Sequence, residues 1–368
     1  MSATELAELA AALVRTESVN PSLDPAGSGE APAVRAVVDW ALEQELPVEV
    51  DEFDGRATVL VHGGRGGGRS VMLLGHLDTV GGAAMADAFG GVVRDGRVHG
   101  RGAYDMKGGV AAALIAARDF DRERLDDSII VACTADEEYA SLGAERLVER
   151  ARLPNYVIVC EPTDERLCIA HRGFAGFEIE VHGRAAHGSR PDLGVDAIAA
   201  SGVVLTRLEQ LAADLLAREP HPLLGTPSIH ASLISGGQEF SSYPERCVIQ
   251  GERRTLPGES DDAIAEEVAA LADGIDASAR LVFSRPALET DPSHELVEAV
   301  AEAAGCSVRE GVSFWTDGAL FAAAGVPTVL FGPRGVGAHA AEEWVEVDSL
   351  VRCAEVYGRA ARLLLRQG

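Results

Sequence analysis

Val71-Met72-Leu73-Leu74-Gly75-His76-Leu77-Asp78-Thr79-Val80 is the stretch that decides how this chain is read. Four apolar residues in a row, without polar alternation, predict a strand buried on both faces, as in the parallel sheets of α/β proteins. Open sheets of that kind gather ligands beyond the carboxyl ends of their strands, which is where His76 and Asp78 fall. A second apolar run, Ser128–Cys133, leads into Ala135-Asp136-Glu137-Glu138. The two strings supply imidazole and carboxylate groups of the kind that hold divalent metals beside a general base, so they point to a hydrolase.

Working outward, helix and strand alternate from residue 1 to about 171. Helices are predicted over Ala3–Thr16 and Ala31–Glu45, and strands over Val48–Phe53, Thr58–His62 and Ser70–Leu74. The turn Gly63-Gly64-Arg65-Gly66-Gly67-Gly68 lacks the Gly-Lys-Ser/Thr ending of a phosphate loop and leads straight into a strand, so a hairpin-type connection is expected. Asp105-Met106-Lys107-Gly108-Gly109 opens an alanine-rich helix, Val110–Arg118, and further buried strands read as Ser128–Cys133 and Tyr156–Cys160, with a helix Leu142–Ala151 between them. This rhythm predicts a mostly parallel sheet flanked by helices.

After His171 the rhythm changes to strand Phe174–Val181, helix Asp196–Leu216, strands Ser228–Ile234 and Cys247–Arg253, helix Asp261–Leu271 and strand Arg280–Phe283. That β-α-β-β-α-β order is the ferredoxin-like unit. Alternation resumes with helix Pro292–Ala304 and strand Thr328–Phe331. The fold class is therefore α/β with an inserted ferredoxin-like α+β module: residues 1–171 and 287–368 form one domain, residues 172–286 the other.

The chain has 368 residues and a net charge of −26, which repels polyanions and argues against nucleic acid or an anionic membrane as partner. Its six cysteines (Cys133, Cys160, Cys168, Cys247, Cys306, Cys353) form no CxxC pair and read as reduced, structural thiols. No secretory pattern and no membrane-length apolar run are visible, so a cytoplasmic location is expected.

Five side chains fall at strand ends or a helix start: His76, Asp105, Glu138, Glu161 and His339. Each has an ordinary reading alone; Asp105, for instance, suits an N-cap. As a set they suit an open catalytic site for two zinc ions, with cobalt or manganese as substitutes. A bridging hydroxide would complete the charge balance and act as nucleophile. Asp78, two residues from His76 and on the same side of an extended segment, is placed to support that histidine by a hydrogen bond. Glu137, next to a ligand, is the candidate general base and proton donor.

With these residues in place, the chain resembles the M20 metallopeptidases, the family that includes acetylornithine deacetylase, succinyl-diaminopimelate desuccinylase and glutamate carboxypeptidase. The resemblance rests on Gly75–Val80, Gly100–Gly109, Asp136-Glu137-Glu138, Cys160-Glu161-Pro162-Thr163 and Gly337-Ala338-His339, in order along nearly the whole chain. It implies a zinc-exopeptidase-like domain in which His76 and Glu161 hold one metal, Glu138 and His339 the other, and Asp105 bridges. It also implies that the inserted module is a lid forming a homodimer interface. Gly183–Pro191 is similar to the family segment whose histidine, here His187, reaches the partner's active site and stabilises the oxyanion. Glu252–Gly258 is similar to the stretch that makes Arg254 a carboxylate clamp. Thr316-Asp317-Gly318 is similar to a substrate-pocket stretch. Ser241 stands where the family often has asparagine, and Met85–Gly90 departs from its aromatic pattern, so the substrate is expected to differ from the family's standard ones.

The leading expectation is a dinuclear zinc amide hydrolase that removes an acyl group from an N-acyl amino acid or small N-acylated amine. The alternatives are a di-, amino- or carboxypeptidase of the same family, and a metal-free binding protein on the same fold. Aminopeptidase relatives tend to carry Asp where this chain has Glu161. The intact ligand set disfavours the binding protein.

Overall fold

The structure is a computed structural model that describes residues 2–82, 85–123, 125–149 and 152–365. The chain divides into two compact units: Met1–Ile169 with Glu289–Gly311 and Thr316–Gly368, and Ala170–Leu288 with Val312–Trp315.

The first unit is built on a mixed sheet. Its strand order is Val48–Phe53, Arg56–Gly64, Ser128–Thr134, Ser70–His76, Tyr156–Val159, Thr328–Leu330, Cys168–His171 and Leu288–Glu289, with Glu310–Val312 pairing beside Cys168–His171. The four strands from Ser128–Thr134 to Thr328–Leu330 run parallel, and antiparallel pairs flank them. Every residue of Ser70–His76 is buried, as its unbroken apolar run predicts for a central strand. Alternation along the strands sends side chains to two covered faces. At Gly63 an added Cβ would lie 2.2 Å from the Ala117 carbonyl oxygen, so the helix Gly108–Asp121 rides close on that face. Leu60, Met72 and Ile130 instead share a cavity of about 390 Å³ with Leu147 and Phe321, which belong to the helices Leu142–Val148 and Gly318–Ala323.

Three expectations change. The glycine-rich turn does not close a hairpin, because Ser128–Thr134 lies between Arg56–Gly64 and Ser70–His76. The turn wraps the incoming end of that strand: Arg65 N–H donates to the Leu125 carbonyl at 2.9 Å and Gly67 N–H to that of Asp126 at 2.9 Å. A strand buried on both faces still needs hydrogen-bonded neighbours on both edges, and a distant segment supplies one here. The helix expected over Leu142–Ala151 is assigned to Leu142–Val148, and Ala151 lies outside the described residues. A small antiparallel sheet, Gly335–Val336, Trp344–Glu346, Arg97–His99 and Val92–Arg94, and a long helix, Val347–Leu365, were not anticipated.

The second unit holds the strands Gly173–His182, Ser228–Gly236, Arg246–Thr255 and Ala277–Arg285 and the helices Ala197–Leu216 and Asp261–Ala270. All pairs are antiparallel, with Ser228–Gly236 at one edge and Ala277–Arg285 at the other. Phe177, Ile179, Val181, Val204, Leu215 and Ile249 form its core. Asp196 caps the long helix by accepting from Ala199 N–H.

His171 is fully buried in this unit, 6.3 Å from Trp315 in an edge-on ring contact, with Nδ1 2.9 Å from the Arg172 carbonyl. Burial pushes its pKa down to about 4 from 6.5. The unfolded chain therefore binds this proton more readily than the folded one. Stability from His171 is complete above pH 6.5 and is lost as pH falls towards 4, by up to about 3 kcal/mol. Denaturant unfolding at pH 7 and pH 4.5 should show a smaller acid loss in His171→Gln than in the wild type. Equal losses in the two proteins would exclude this source.

Candidate metal centre

The carboxyl ends of the parallel strands converge on one edge of the sheet. His76 is the last residue of Ser70–His76, Asp136-Glu137-Glu138 follow Ser128–Thr134, and Glu161 follows Tyr156–Val159. His339 sits in the loop of the hairpin formed by Gly335–Val336 and Trp344–Glu346, in the left-handed region with φ 59°. Sequence reading placed it after a simple glycine-rich turn, but two residues of that turn pair as a strand. Asp105 also differs from expectation. It lies in the tight turn Ala103–Lys107, with non-helical φ −116° and ψ 94°, and does not cap the helix that begins at Gly108.

Asp105 is central to the geometry. Its Oδ1 lies 3.2 Å from His76 Nε2 and its Oδ2 3.3 Å from His339 Nε2. Glu161 Oε1 approaches His76 Nε2 to 3.6 Å, and Glu138 Oε2 approaches His339 Nε2 to 2.9 Å. Glu137 Oε2 stands 3.9 Å from His76 Nε2. Two overlapping sets, His76 with Asp105 and Glu138, and His76 with Glu137 and Glu161, each bring their donor atoms within 4.8 Å of one another. Imidazole nitrogens and carboxylate oxygens without a thiolate suit a divalent ion of borderline or hard character. A single carboxylate spanning two histidines suits two ions side by side.

Electrostatics sharpen the picture. Burial, reinforced by neighbouring carboxylates, pushes the Glu137 and Glu161 carboxyls well above the usual range. Burial also opposes ionisation of Asp105, yet hydrogen bonds from His339 and His76 hold it below the usual range. Hydrogen bonds to Asp105 and Glu138 raise His339 to about 10.

The group that supports His76 is not the one expected. Its Nδ1 lies 2.9 Å from the backbone carbonyl of Asp78, while the Asp78 carboxylate stands 3.6 Å away. With Nδ1–H donated to that carbonyl, Nε2 is the nitrogen that faces Asp105 and would give up its proton to present a lone pair to a bound metal. The Asp78 carboxylate is engaged elsewhere: it accepts from the backbone N–H of Glu137 at 3.2 Å and of Glu138 at 3.1 Å, and from Asn20 Nδ2 at 2.8 Å. Those three bonds orient the carboxylate towards the Glu137–Glu138 backbone and Asn20, and its distance from Nδ1 is beyond hydrogen-bond range.

Sequence reasoning missed Glu343 and Arg101. Glu343 accepts from the N–H of Tyr104 at 2.9 Å and of Asp105 at 3.1 Å, and from Arg101 at 2.5 Å. Arg101 also donates to the Ala340 carbonyl at 2.9 Å, beside His339. This pair joins residues 242 apart in sequence, so no local pattern could reveal it. Thr316 and Asp317 are buried, and the Asp317 carboxylate accepts from the Thr134 hydroxyl at 2.8 Å. His187, Ser241 and Arg254 belong to the second unit. There His187 and Ser241 lie on adjoining segments, since Gly188 N–H donates to the Ser241 carbonyl at 2.6 Å. Arg254 lies near the far end of the strand Arg246–Thr255.

This fold, with paired imidazole and carboxylate donors at the strand ends, defines a metal-dependent hydrolase. Residues 72–363 match peptidase family M20/M25/M40, and the chain belongs to that family. It is 36% identical over 318 residues to an acetylornithine deacetylase from Myxococcus xanthus, covering 82% of each protein. Among solved structures it is similar to an M20 family metallo-carboxypeptidase from Sulfolobus solfataricus, with TM-score 0.77, 15% identity and 99% of both chains covered. A dinuclear metal-binding M20 peptidase from Bacillus subtilis gives TM-score 0.75 at 16% identity, covering 100% of this chain and 99% of that one. These structural likenesses show the fold. No helix among the described residues is long and apolar enough to cross a membrane.

Glu343→Ala would leave the buried Arg101 without its carboxylate and free the turn that carries Asp105. Breaking a buried pair on one side costs roughly 3–5 kcal/mol. Denaturant unfolding should show that loss, and metal titration should show weaker binding. Unchanged values in both would refute the role assigned to Glu343.

Proposed function

We propose that this chain hydrolyses the amide bond of an N-acyl amino acid or small N-acylated amine, releasing a carboxylate and a free amine. The observation that carries the reading is the state of Glu137. Its backbone N–H is anchored on Asp78, and its carboxylate makes no hydrogen bond among the described residues while Oε2 stands 3.9 Å from His76 Nε2, beside the candidate metal donors. A carboxyl held by its backbone, with its oxygens uncommitted and facing the groups that would hold a metal, suits proton transfer. The 36% identity to an acetylornithine deacetylase supports a deacylase over a peptidase.

His76 and Glu161 would hold one ion, His339 and Glu138 a second, with Asp105 shared; zinc fits this donor set, and cobalt or manganese could replace it. Bound metal would supply Lewis acidity that polarises the scissile carbonyl and acidifies water. Glu137 takes a proton from the attacking water and delivers it to the leaving nitrogen. Asp78 fixes Glu137 and Glu138 through their backbone. Thr316 and Asp317 are assigned to the pocket wall.

The lid residues have chemistry suited to their parts. His187 Nδ1 accepts from Ser189 N–H at 3.2 Å, so its proton sits on Nε2, ready to donate to an oxyanion. Arg254 spends Nε on Glu252 at 2.6 Å and its guanidinium lies 5.0 Å over the Phe174 ring. Its two terminal nitrogens remain for a substrate carboxylate. Ser241 is assigned to substrate contact near His187. His187 bridges Ser242, just before the strand Arg246–Thr255 begins, whereas Arg254 lies near the other end of that strand, opposite Ser228 and Phe174. Their placement towards opposite ends of one sheet supports a homodimer in which His187 serves the partner's site. The edge strand Ser228–Gly236 supports that reading, with Leu233 65% and Ile234 54% exposed.

Glu137→Gln should abolish amine release from N-acetyl and N-succinyl amino acids while metal content stays near that of the wild type. Full activity in that variant would refute the assignment. Activity on dipeptides alone would move the function to a peptidase. His187→Ala should lose activity too, and co-expression of the Glu137→Gln and His187→Ala chains should restore it, because each mixed dimer contains one intact site. No restoration would argue against a histidine supplied by the partner.

A further inference from the structure

Behind the metal donors lies a buried polar chain of which the proposed mechanism uses only Asp78. Arg56, on the strand Arg56–Gly64, forks onto Glu30 through Nε at 2.8 Å and through Nη2, and reaches Asp136 Oδ1 with Nη1 at 2.9 Å. Asn20 Nδ2 donates to Asp136 Oδ1 at 3.0 Å and to Asp78 Oδ2 at 2.8 Å. Asn20, Glu30, Asp78 and Asp136 are fully buried, and Arg56 is 7% exposed. The segment carrying Asn20 is itself pinned to the stretch after His76: Asn20 N–H donates to the Thr79 carbonyl at 2.9 Å, and the Ser18 hydroxyl to the Leu77 carbonyl at 2.6 Å.

The chain ends on three consecutive backbone N–H groups. Glu30 Oε1 accepts from Asp136 N–H at 3.2 Å, and Asp78 accepts from those of Glu137 and Glu138. Asp136 holds a left-handed conformation, φ 70°, which a non-glycine residue keeps only when its surroundings fix it. A buried ionic cluster is a poor stabiliser compared with apolar packing. Convergence on one catalytic segment is better explained by positioning.

We propose that Asn20, Glu30 and Arg56 are positioning residues that set the Glu137 and Glu138 carboxylates at the reaction centre. None of them belongs to the groups that could hold a metal. Asn20 is the neutral donor that lets two buried carboxylates, Asp78 and Asp136, face it at once. Arg56 supplies the positive charge, and its planar fork fixes the geometry. The inference rests on the reading of Glu137 as proton carrier and of Glu138 as a ligand.

The test compares Asn20→Asp and Arg56→Lys with Arg118→Lys, using the full chain. Arg118 is also buried, and is paired with Glu5 and Asp119, but lies in none of this machinery. Asn20→Asp keeps the shape but turns two donated bonds into repulsion. It should lower kcat about 10- to 100-fold with little change in KM, and weaken metal binding by about tenfold in chelator competition. Arg56→Lys, which keeps the charge and loses the fork, should fall between this variant and the wild type on both readouts. Arg118→Lys should lower Tm and leave kcat and metal affinity unchanged. If the Asn20 and Arg56 variants behave like the Arg118 control, the chain is only structural and the proposal fails. Should Asn20→Asp not fold, Arg56→Lys decides by the same readouts. An active Glu137→Gln would sink the proton-carrier reading, while the metal-affinity comparison still decides this one through Glu138.

Discussion

Carboxylate repulsion in a buried space is the constraint around which the first unit is organised. Asp78, Asp105, Asp136, Glu137, Glu138, Glu161 and Glu343 crowd together near the carboxyl ends of four strands, and burial disfavours the charge on Asp78, Asp105, Glu137, Glu161 and Glu343. The protein's own buried cations stand behind the donor atoms. Arg56 serves Glu30 and Asp136, and Arg101 serves Glu343. Lys107 is buried with Nζ donating to the Thr16 carbonyl at 2.8 Å, and burial pulls its pKa down to about 7 against the attraction of Glu343, Asp78 and Glu17. The inner ring of His76, Asp105, Glu138, Glu161 and His339 contains no Lys or Arg. Positive charge from bound metal is therefore the natural complement of that ring.

The same arrangement explains why the donors are held mainly through the backbone. Glu137, Glu138, Tyr104 and Asp105 are fixed by N–H groups donated to Asp78 or Glu343, and His76 by the Asp78 carbonyl. Anchoring a ligand by its peptide group leaves its side-chain oxygens free to face the centre. It also orders donors contributed by separate segments without requiring those segments to touch through side chains.

The parts of this design legible in the sequence were those written locally. Val71–Leu74 and Ser128–Cys133 announce central strands, and His76, Glu138 and Glu161 follow their ends at short range, so the edge of the sheet could be located from the pattern alone. The β-α-β-β-α-β order of the second unit was equally local. What escaped was carried by distance: Ser128–Thr134 slipping between two strands adjacent in sequence, and Arg101 meeting Glu343. Asp105 was read as opening a helix and as a metal donor; it stands between the two histidines, but the turn before Gly108 takes its backbone out of the helical region. The helix Val347–Leu365 has a readable apolar stripe at Leu350, Cys353, Tyr357, Ala361 and Leu364, and the sequence reading stopped short of it.

Chemistry and specificity were unequally legible for a physical reason. On the proposed reading most of the metal donors are buried, and His76, Asp105 and Glu138 are each held by the Asp78 carbonyl or by a backbone N–H bonded to Asp78 or Glu343, so substitution there is costly. Ser241 lies in an exposed loop, beside a Ser242 whose hydroxyl bonds Glu239 at 2.5 Å. A hydroxyl in place of an amide at such a position disturbs no core and breaks no buried network. On the proposed reading, the departure at Ser241 is thus the kind of change that redirects substrate choice while leaving the hydrolytic centre intact. The lid loops, rather than the metal ring, are then where the acyl group and the amine are selected.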